Sequence, residues 1–106
     1  MNKTFQIKAQ ISLLKENGRE GYISTGYRPA FDFGEKSLTS GAIFLLNTEK
    51  LDPREKDTVF IHFISHKLLG DIKEGTSFSF YEGKNKIGEG TVLNVIGYRE
   101  HRQKTR

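Results

Sequence analysis

Apolar and polar residues alternate in short runs along much of this sequence, and this pattern restricts the chain to a fold made mainly of β-strands. Every second residue is apolar in residues 5–11 and again in residues 58–64, which is the period of a strand with one buried face. In the second run, His62 is predicted to point away from that face. Residues 77–81 and 86–96 are two further runs joined by turn residues, and they predict a hairpin.

The segments between these runs predict turns and more strands. Asn-Gly at residues 17–18 favours a tight turn, because both residues accept positive φ. Pro29 predicts a bend or a strand edge, since proline lacks the amide donor of a central strand. Residues 39–46 form an apolar run of strand length, which predicts that both faces are covered. Only residues 66–74 are suited to a helical turn, and they are too few for a structural helix.

Six or seven strands without a long helix must bury their apolar faces against one another, as a closed barrel or as a sandwich. Gly88 and Gly90 in the last run are typical of bulges or corners in a tightly curved barrel. The length of 106 residues suits one domain. We therefore predict an all-β fold, either a barrel or a sandwich, with a single domain in residues 1–98 and a basic, flexible tail in residues 99–106.

The residue types present exclude several kinds of catalytic and metal-binding site. The sequence has no cysteine, which excludes disulfides, thiolate nucleophiles and Cys-ligated zinc. His62 and His66 lack a convincing third ligand, and no Gly-x-Ser-x-Gly motif occurs. We therefore predict a protein that is not an enzyme and that has no metal and no cofactor. No leader-like or membrane-spanning apolar segment is evident, which predicts a cytoplasmic protein without a membrane partner.

The net charge of +4 is unevenly distributed. Residues 99–106 contain four basic residues and one acid, a net charge of +3, which leaves +1 for residues 1–98. The domain itself is thus nearly neutral, and the tail is interpreted first as a solubilising segment and second as a contact for RNA or an acidic protein.

Three blocks of sequence, in order, carry a resemblance to a known family. They are Gly-Tyr-Arg-Pro at residues 26–29 followed by Phe31, Phe33 and Thr39; the strand at residues 59–64; and the hairpin at residues 78–90, with Glu-Gly at 82–83. Together they resemble the C-terminal β-barrel, the third domain, of elongation factor Tu, over about residues 5–97. The resemblance implies a closed six-stranded Greek-key barrel with no catalytic role, which in that family packs against a GTPase domain and touches the T stem of aminoacyl-tRNA.

The resemblance also implies where RNA would be contacted. The family's tRNA-contacting positions fall on Arg19, Thr39, Glu82 and Gly83, and Lys84 stands beside them in the hairpin turn. An arginine can pair with a phosphate, and a glycine lets backbone approach the sugar-phosphate chain. Arg28, next to a rigid proline, is interpreted as a structural arginine that holds a loop.

Two departures from the family pattern affect whether the partner is expected to be RNA or protein. Glu20 stands where the family usually has histidine, and Ala30 where it usually has glutamine. The sequence also lacks Gly-x-x-x-x-Gly-Lys-Ser/Thr, so it predicts no bound nucleotide. Because a carboxylate at Glu20 repels phosphate, we favour a protein partner linked to translation or its regulation, and we keep tRNA or other RNA as the alternative.

Overall fold

A computed structural model describes residues 3–14 and 21–100 of the chain. These residues form strands, turns and bends, and no helix occurs among them. The strands are β1 (Lys3–Leu13), β2 (Ile23–Ser24), β3 (Ala30–Asp32), β4 (Thr39–Leu45), β5 (Lys50–Leu51), β6 (Lys56–Phe63), β7 (Ser77–Glu82) and β8 (Asn85–Glu100). The Asn-Gly turn predicted at residues 17–18 lies outside the described residues.

Six of the strands close into an antiparallel barrel. The order around the barrel is β1-β6-β4-β3-β7-β8, and β8 pairs with β1 to complete the circle. The strands β2 and β5 form a separate two-stranded sheet. Closure leaves the six barrel strands without a free edge, so the structure confirms the all-β class and the closed six-stranded barrel.

Alternation along each strand sends one set of side chains into the barrel. In β6, Val59, Ile61 and Phe63 are fully buried, whereas the residues between them are only partly covered. The structure thus confirms that His62 points away from the core. Burial of such side chains contributes about 1.5–3 kcal/mol each, which makes this inward set the main source of stability.

Phenylalanine rings fill one end of the interior. Phe31 packs against Phe63, Phe80, Phe78 and Phe33, with ring centroids between 5.3 and 6.3 Å apart. Edge-on and tilted arrangements of this kind add to the burial energy of aromatic side chains. The ring of Phe31 is therefore the centre of the aromatic core.

Glycine at two positions of β8 lets the sheet curve around these rings. A Cβ at Gly88 would clash with Cζ of Phe80, and one at Gly90 would lie 2.6 Å from Cζ of Phe78. The pairing of β8 also shifts register once with β7 and twice with β1, which leaves Ile87, Leu93 and Ile96 without a residue opposite them at those shifts. Such bulges bend a strand, which agrees with the tight curvature predicted from these glycines.

Two segments differ from the sequence-based expectation or refine it. β4 is covered on both faces only over residues 41–43, where Ala42 is buried although it faces out of the barrel. β8 extends to Glu100, because Arg99 and Glu100 pair with β1. The first two residues of the predicted tail therefore belong to the barrel, and residues 101–106 lie outside the described residues.

Asp57 holds the loop that follows β4. It is a buried acidic residue, only 6% exposed. Its carboxylate accepts hydrogen bonds from the backbone N of Leu46 and the backbone N of Asn47, both at 3.3 Å, and from Nδ2 of Asn47 at 2.9 Å. Sequence patterns did not single out Asp57, because an Asp in a polar connector gives no sign of the loop it contacts.

We expect Asp57→Ala to lower the free energy of unfolding by about 2 kcal/mol, because the three donors lose a charged acceptor. Urea denaturation followed by circular dichroism measures this loss. The exposed Asp71 provides the matched control, and Asp71→Ala is expected to change stability by less than about 0.5 kcal/mol. Equal effects of the two substitutions would contradict the role given to Asp57.

Candidate binding surfaces

The hairpin turn, residues 82–85, is held against the loop before β3. Gly83 adopts a φ of 61°, the left-handed conformation that this tight turn requires. At the start of the turn, the hydroxyl of Tyr27 donates a hydrogen bond of 2.8 Å to Oε2 of Glu82. Lys84 is exposed at the tip. The carboxylate of Glu82 is thus already engaged in a hydrogen bond within the domain.

Charges of both signs surround the hairpin turn. The Nζ atom of Lys86 forms a salt bridge of 3.1 Å with Oε1 of Glu89. Glu82 stands next to Lys84 in sequence. Two acids therefore balance two lysines around the turn, and phosphate binding needs a surplus of positive charge that these four residues do not supply.

The remaining predicted RNA-contacting residues are not brought to this turn. Thr39 pairs with Phe31, and cross-strand partners share a face, so its side chain lies on the inner side of the barrel. β3 separates β4 from β7, which places Thr39 about 10 Å across the strands from the hairpin. Arg19 and Glu20 lie outside the described residues. Glu82, Gly83 and Lys84 are adjacent, and Thr39 is apart from them.

A broad open hollow of about 630 Å³ lies beside β7. We call it the polar hollow, and its uncharged polar lining consists of Gln10, Ser12, Ser77, Ser79 and Thr91. Register explains the grouping, because Gln10 pairs with Thr91 and Thr91 pairs with Ser77 across three neighbouring strands.

The charges in the polar hollow nearly cancel. Asp32 and Glu89 contribute carboxylates and Lys56 contributes an ammonium group. Glu89 is already paired with Lys86, and Asp32 accepts a hydrogen bond of 2.8 Å from the backbone N of Gly34. Ile11, Phe33 and Phe78 also line the hollow. Its uncharged polar groups are the hydroxyls and the amide of Gln10, which suit hydrogen bonds to a neutral polar surface.

Sequence reasoning did not identify the polar hollow. Ser77, Ser79 and Thr91 were visible only as the polar positions of alternating strands, as were Gln10 and Ser12. Such positions occur on every strand, and only the pairing of β7 with β8 and β1 joins these into one surface. The register in which β7, β8 and β1 pair is needed to locate this surface, and the sequence does not show it.

His62 and His66 both contact neighbouring protein side chains. Nδ1 of His66 lies 2.8 Å from the hydroxyl of Tyr98, which also accepts a hydrogen bond from the backbone N of His66. The ring of His62 lies 4.4 Å from the ring of Phe44. Within residues 3–14 and 21–100, no group of three or more His, Asp or Glu side chains is placed to hold a metal ion.

Comparison with protein-family models finds no family that matches this chain. The described residues also contain no helix with the length and apolar character needed to cross a membrane.

Proposed function

We propose that this domain is a non-catalytic protein-binding module linked to translation or its regulation, with the Greek-key plan of the C-terminal barrel of elongation factor Tu. The proposal is supported by the ordered sequence blocks that resemble that barrel. It is also supported by the closure of six antiparallel strands, which is the fold class that the resemblance implies.

The observation that carries the choice of a protein partner is the chemistry of the polar hollow. Its hydroxyl and amide groups and its nearly balanced charges favour a neutral polar protein surface over a chain of phosphates. Protein interfaces of ordinary affinity contain about one hydrogen bond per 100–200 Å², and the lining of this hollow supplies donors and acceptors for such an interface.

RNA binding is the second candidate, and Lys84 is the observation in its favour. Its ammonium group is at the exposed tip of the hairpin turn and forms no salt bridge with the described residues. If RNA binds there, Lys84→Ala should reduce the slope of log K against log salt by about one. Titration with tRNA at several salt concentrations measures the slope.

Photo-cross-linking in cells tests the proposed function. A benzophenone amino acid is placed at Ser79 or at Thr91, and the control carries it at Ser24, an exposed residue of β2. We expect covalent products from Ser79 and Thr91 that protease removes and ribonuclease leaves intact, with a translation component identified in them by mass spectrometry. Identical products from Ser24, or products that ribonuclease abolishes, would count against the protein-binding module.

A further inference from the structure

A second surface, on the outer side of β4 and β6, is apolar and aromatic where an exposed sheet face is ordinarily polar. We define the aromatic face by the outward residues Lys8, Phe44, Phe60 and His62, with Ala42 and Ile64. Lys8 pairs with Phe60, and Phe60 pairs with Phe44, so these three form one row across three strands. Gln6, His62 and Ala42 form the next row.

Several apolar side chains of this region remain in contact with solvent. Ile64 is 77% exposed, and Leu46, the residue after β4, is 44% exposed. Phe44 and Phe60 are half-buried, and Ala42 is buried beneath the face. Contiguous apolar area of this kind on a small domain marks an interaction site, because single exposed apolar residues are common but grouped ones are not.

The aromatic face contains a shallow hollow of about 180 Å³, with a cation at its border. Ala42, Phe44 and Ile64 supply the apolar wall, and Arg28 lies at the side. The backbone around Arg28 is fixed, because Gly26 and Tyr27 form hydrogen bonds with Ile43 of 2.7 and 2.9 Å. The loop is held by these bonds rather than by the guanidinium.

Arg28 itself is exposed, and it forms no hydrogen bond or salt bridge with the described residues through its side chain. The sequence suggested that Arg28 holds the loop, and the structure replaces that interpretation. Backbone hydrogen bonds hold the loop, and the loop presents the guanidinium of Arg28 to solvent. Arginine on a rigid support next to an apolar hollow is a frequent source of binding energy at protein interfaces.

The charged side chains that face outwards from β1, β4 and β6 all have the same sign. No outward-facing residue described on β1, β4 or β6 is acidic, because the one acid of these strands, Asp57, is buried against the loop after β4. Lys8 and Arg28 supply positive charge at opposite sides of the apolar centre. A negatively charged partner is favoured, and face-to-face pairing of two copies would bring like charges together.

We propose that the aromatic face binds an acidic segment of a partner protein that also carries large apolar side chains. One apolar side chain fills the hollow between Ala42, Phe44 and Ile64, and a carboxylate of the segment pairs with Arg28. The aliphatic surface of Ile64 and Leu46 favours a peptide over nucleic acid, whose bases need open aromatic faces on which to stack. This site is separate from the polar hollow and does not depend on it.

Titration of the isotope-labelled domain with short synthetic peptides, followed by NMR, tests this proposal. The probe alternates Glu or Asp with Leu and Phe; a second peptide has Lys in place of every acid, and a third has Ser in place of every apolar residue. We expect saturable shifts of the amide signals of Phe44, Phe60 and Ile64 with the first peptide alone. No shifts, or equal shifts with the Lys peptide, would overturn the proposal.

Two variants locate the site. Ile64→Asp and Arg28→Glu are each expected to weaken binding of the acidic peptide at least about tenfold, because a tenfold change corresponds to only one good interaction. Lys73→Glu, which reverses the charge of another exposed cation in the loop before β7, is the matched control and should leave the affinity unchanged. Since Ile64 and Arg28 are exposed, the thermal unfolding of both variants should match that of the unaltered protein.

The remaining outcomes also decide the proposal. Shifts that centre on Ser79 and Thr91 would assign the peptide to the polar hollow and overturn the assignment to the aromatic face. Tighter binding of an oligothymidine probe than of the acidic peptide would identify the face as a nucleic-acid platform instead. Failure of cross-linking at Ser79 and Thr91, with the peptide result intact, would remove the proposed function and leave this site standing.

Discussion

Replacement of Phe31 by alanine is expected to lower the free energy of unfolding by about 3–5 kcal/mol. Phe31 is fully buried and its ring contacts four other phenylalanine rings, so truncation leaves a cavity inside the barrel. Domains of this size have a total stability of about 5–15 kcal/mol, so this variant is expected to be close to unfolding. Urea denaturation, followed by circular dichroism, measures the loss.

The matched control for Phe31→Ala is Phe60→Ala. Phe60 is on β6 but faces outwards and is half-buried. The same atoms are removed without opening a cavity inside the barrel, so a loss of only about 1 kcal/mol is expected. Similar losses for Phe31→Ala and Phe60→Ala would show that the aromatic core does not determine the stability of the barrel.

Replacement of Gly88 by alanine is the second substitution expected to have a large effect. The added Cβ would clash with Cζ of Phe80, and Phe80 is itself fully buried. Either the ring or β8 must move, and overpacking of this kind costs about 1–3 kcal/mol. A lower midpoint of urea unfolding is the expected result.

A double substitution separates the steric clash from other effects of the extra methyl group. Phe80→Leu shortens the side chain that Gly88→Ala meets, so the double variant should lose less stability than the sum of the two single losses. Residues in contact show coupling of about 0.5–3 kcal/mol. Strict additivity would mean that the clash with Phe80 is not the reason why glycine is needed at residue 88.

Much of the local structure was predictable because it depends on neighbours in sequence. Alternation predicted the strands around residues 5–11 and 58–64 and the outward direction of His62. Turn residues predicted the hairpin between β7 and β8. Gly88 and Gly90 indicated tight curvature, although only the structure identified the rings of Phe80 and Phe78 as the atoms that exclude a side chain.

The surfaces were less predictable, since each depends on residues far apart in sequence. The predicted RNA-binding group took Arg19, Thr39, Glu82 and Gly83 from the resemblance and Lys84 from its place in the hairpin turn. Arg19 lies outside the described residues, and the strand order separates Thr39 from the three hairpin residues. The polar hollow and the aromatic face were not predicted, because exposed positions of different strands look alike until their pairing is known.

The sequence alone determined that this chain forms strands, which of their residues face inwards, and where the last hairpin turns. Those properties follow from the period of two along a strand and from the φ values that glycine and proline allow. Only the tertiary structure decided that β6 lies between β1 and β4. That order sets which side chains meet, and it places Lys8, Phe60 and Phe44 in one row on the outside of the barrel.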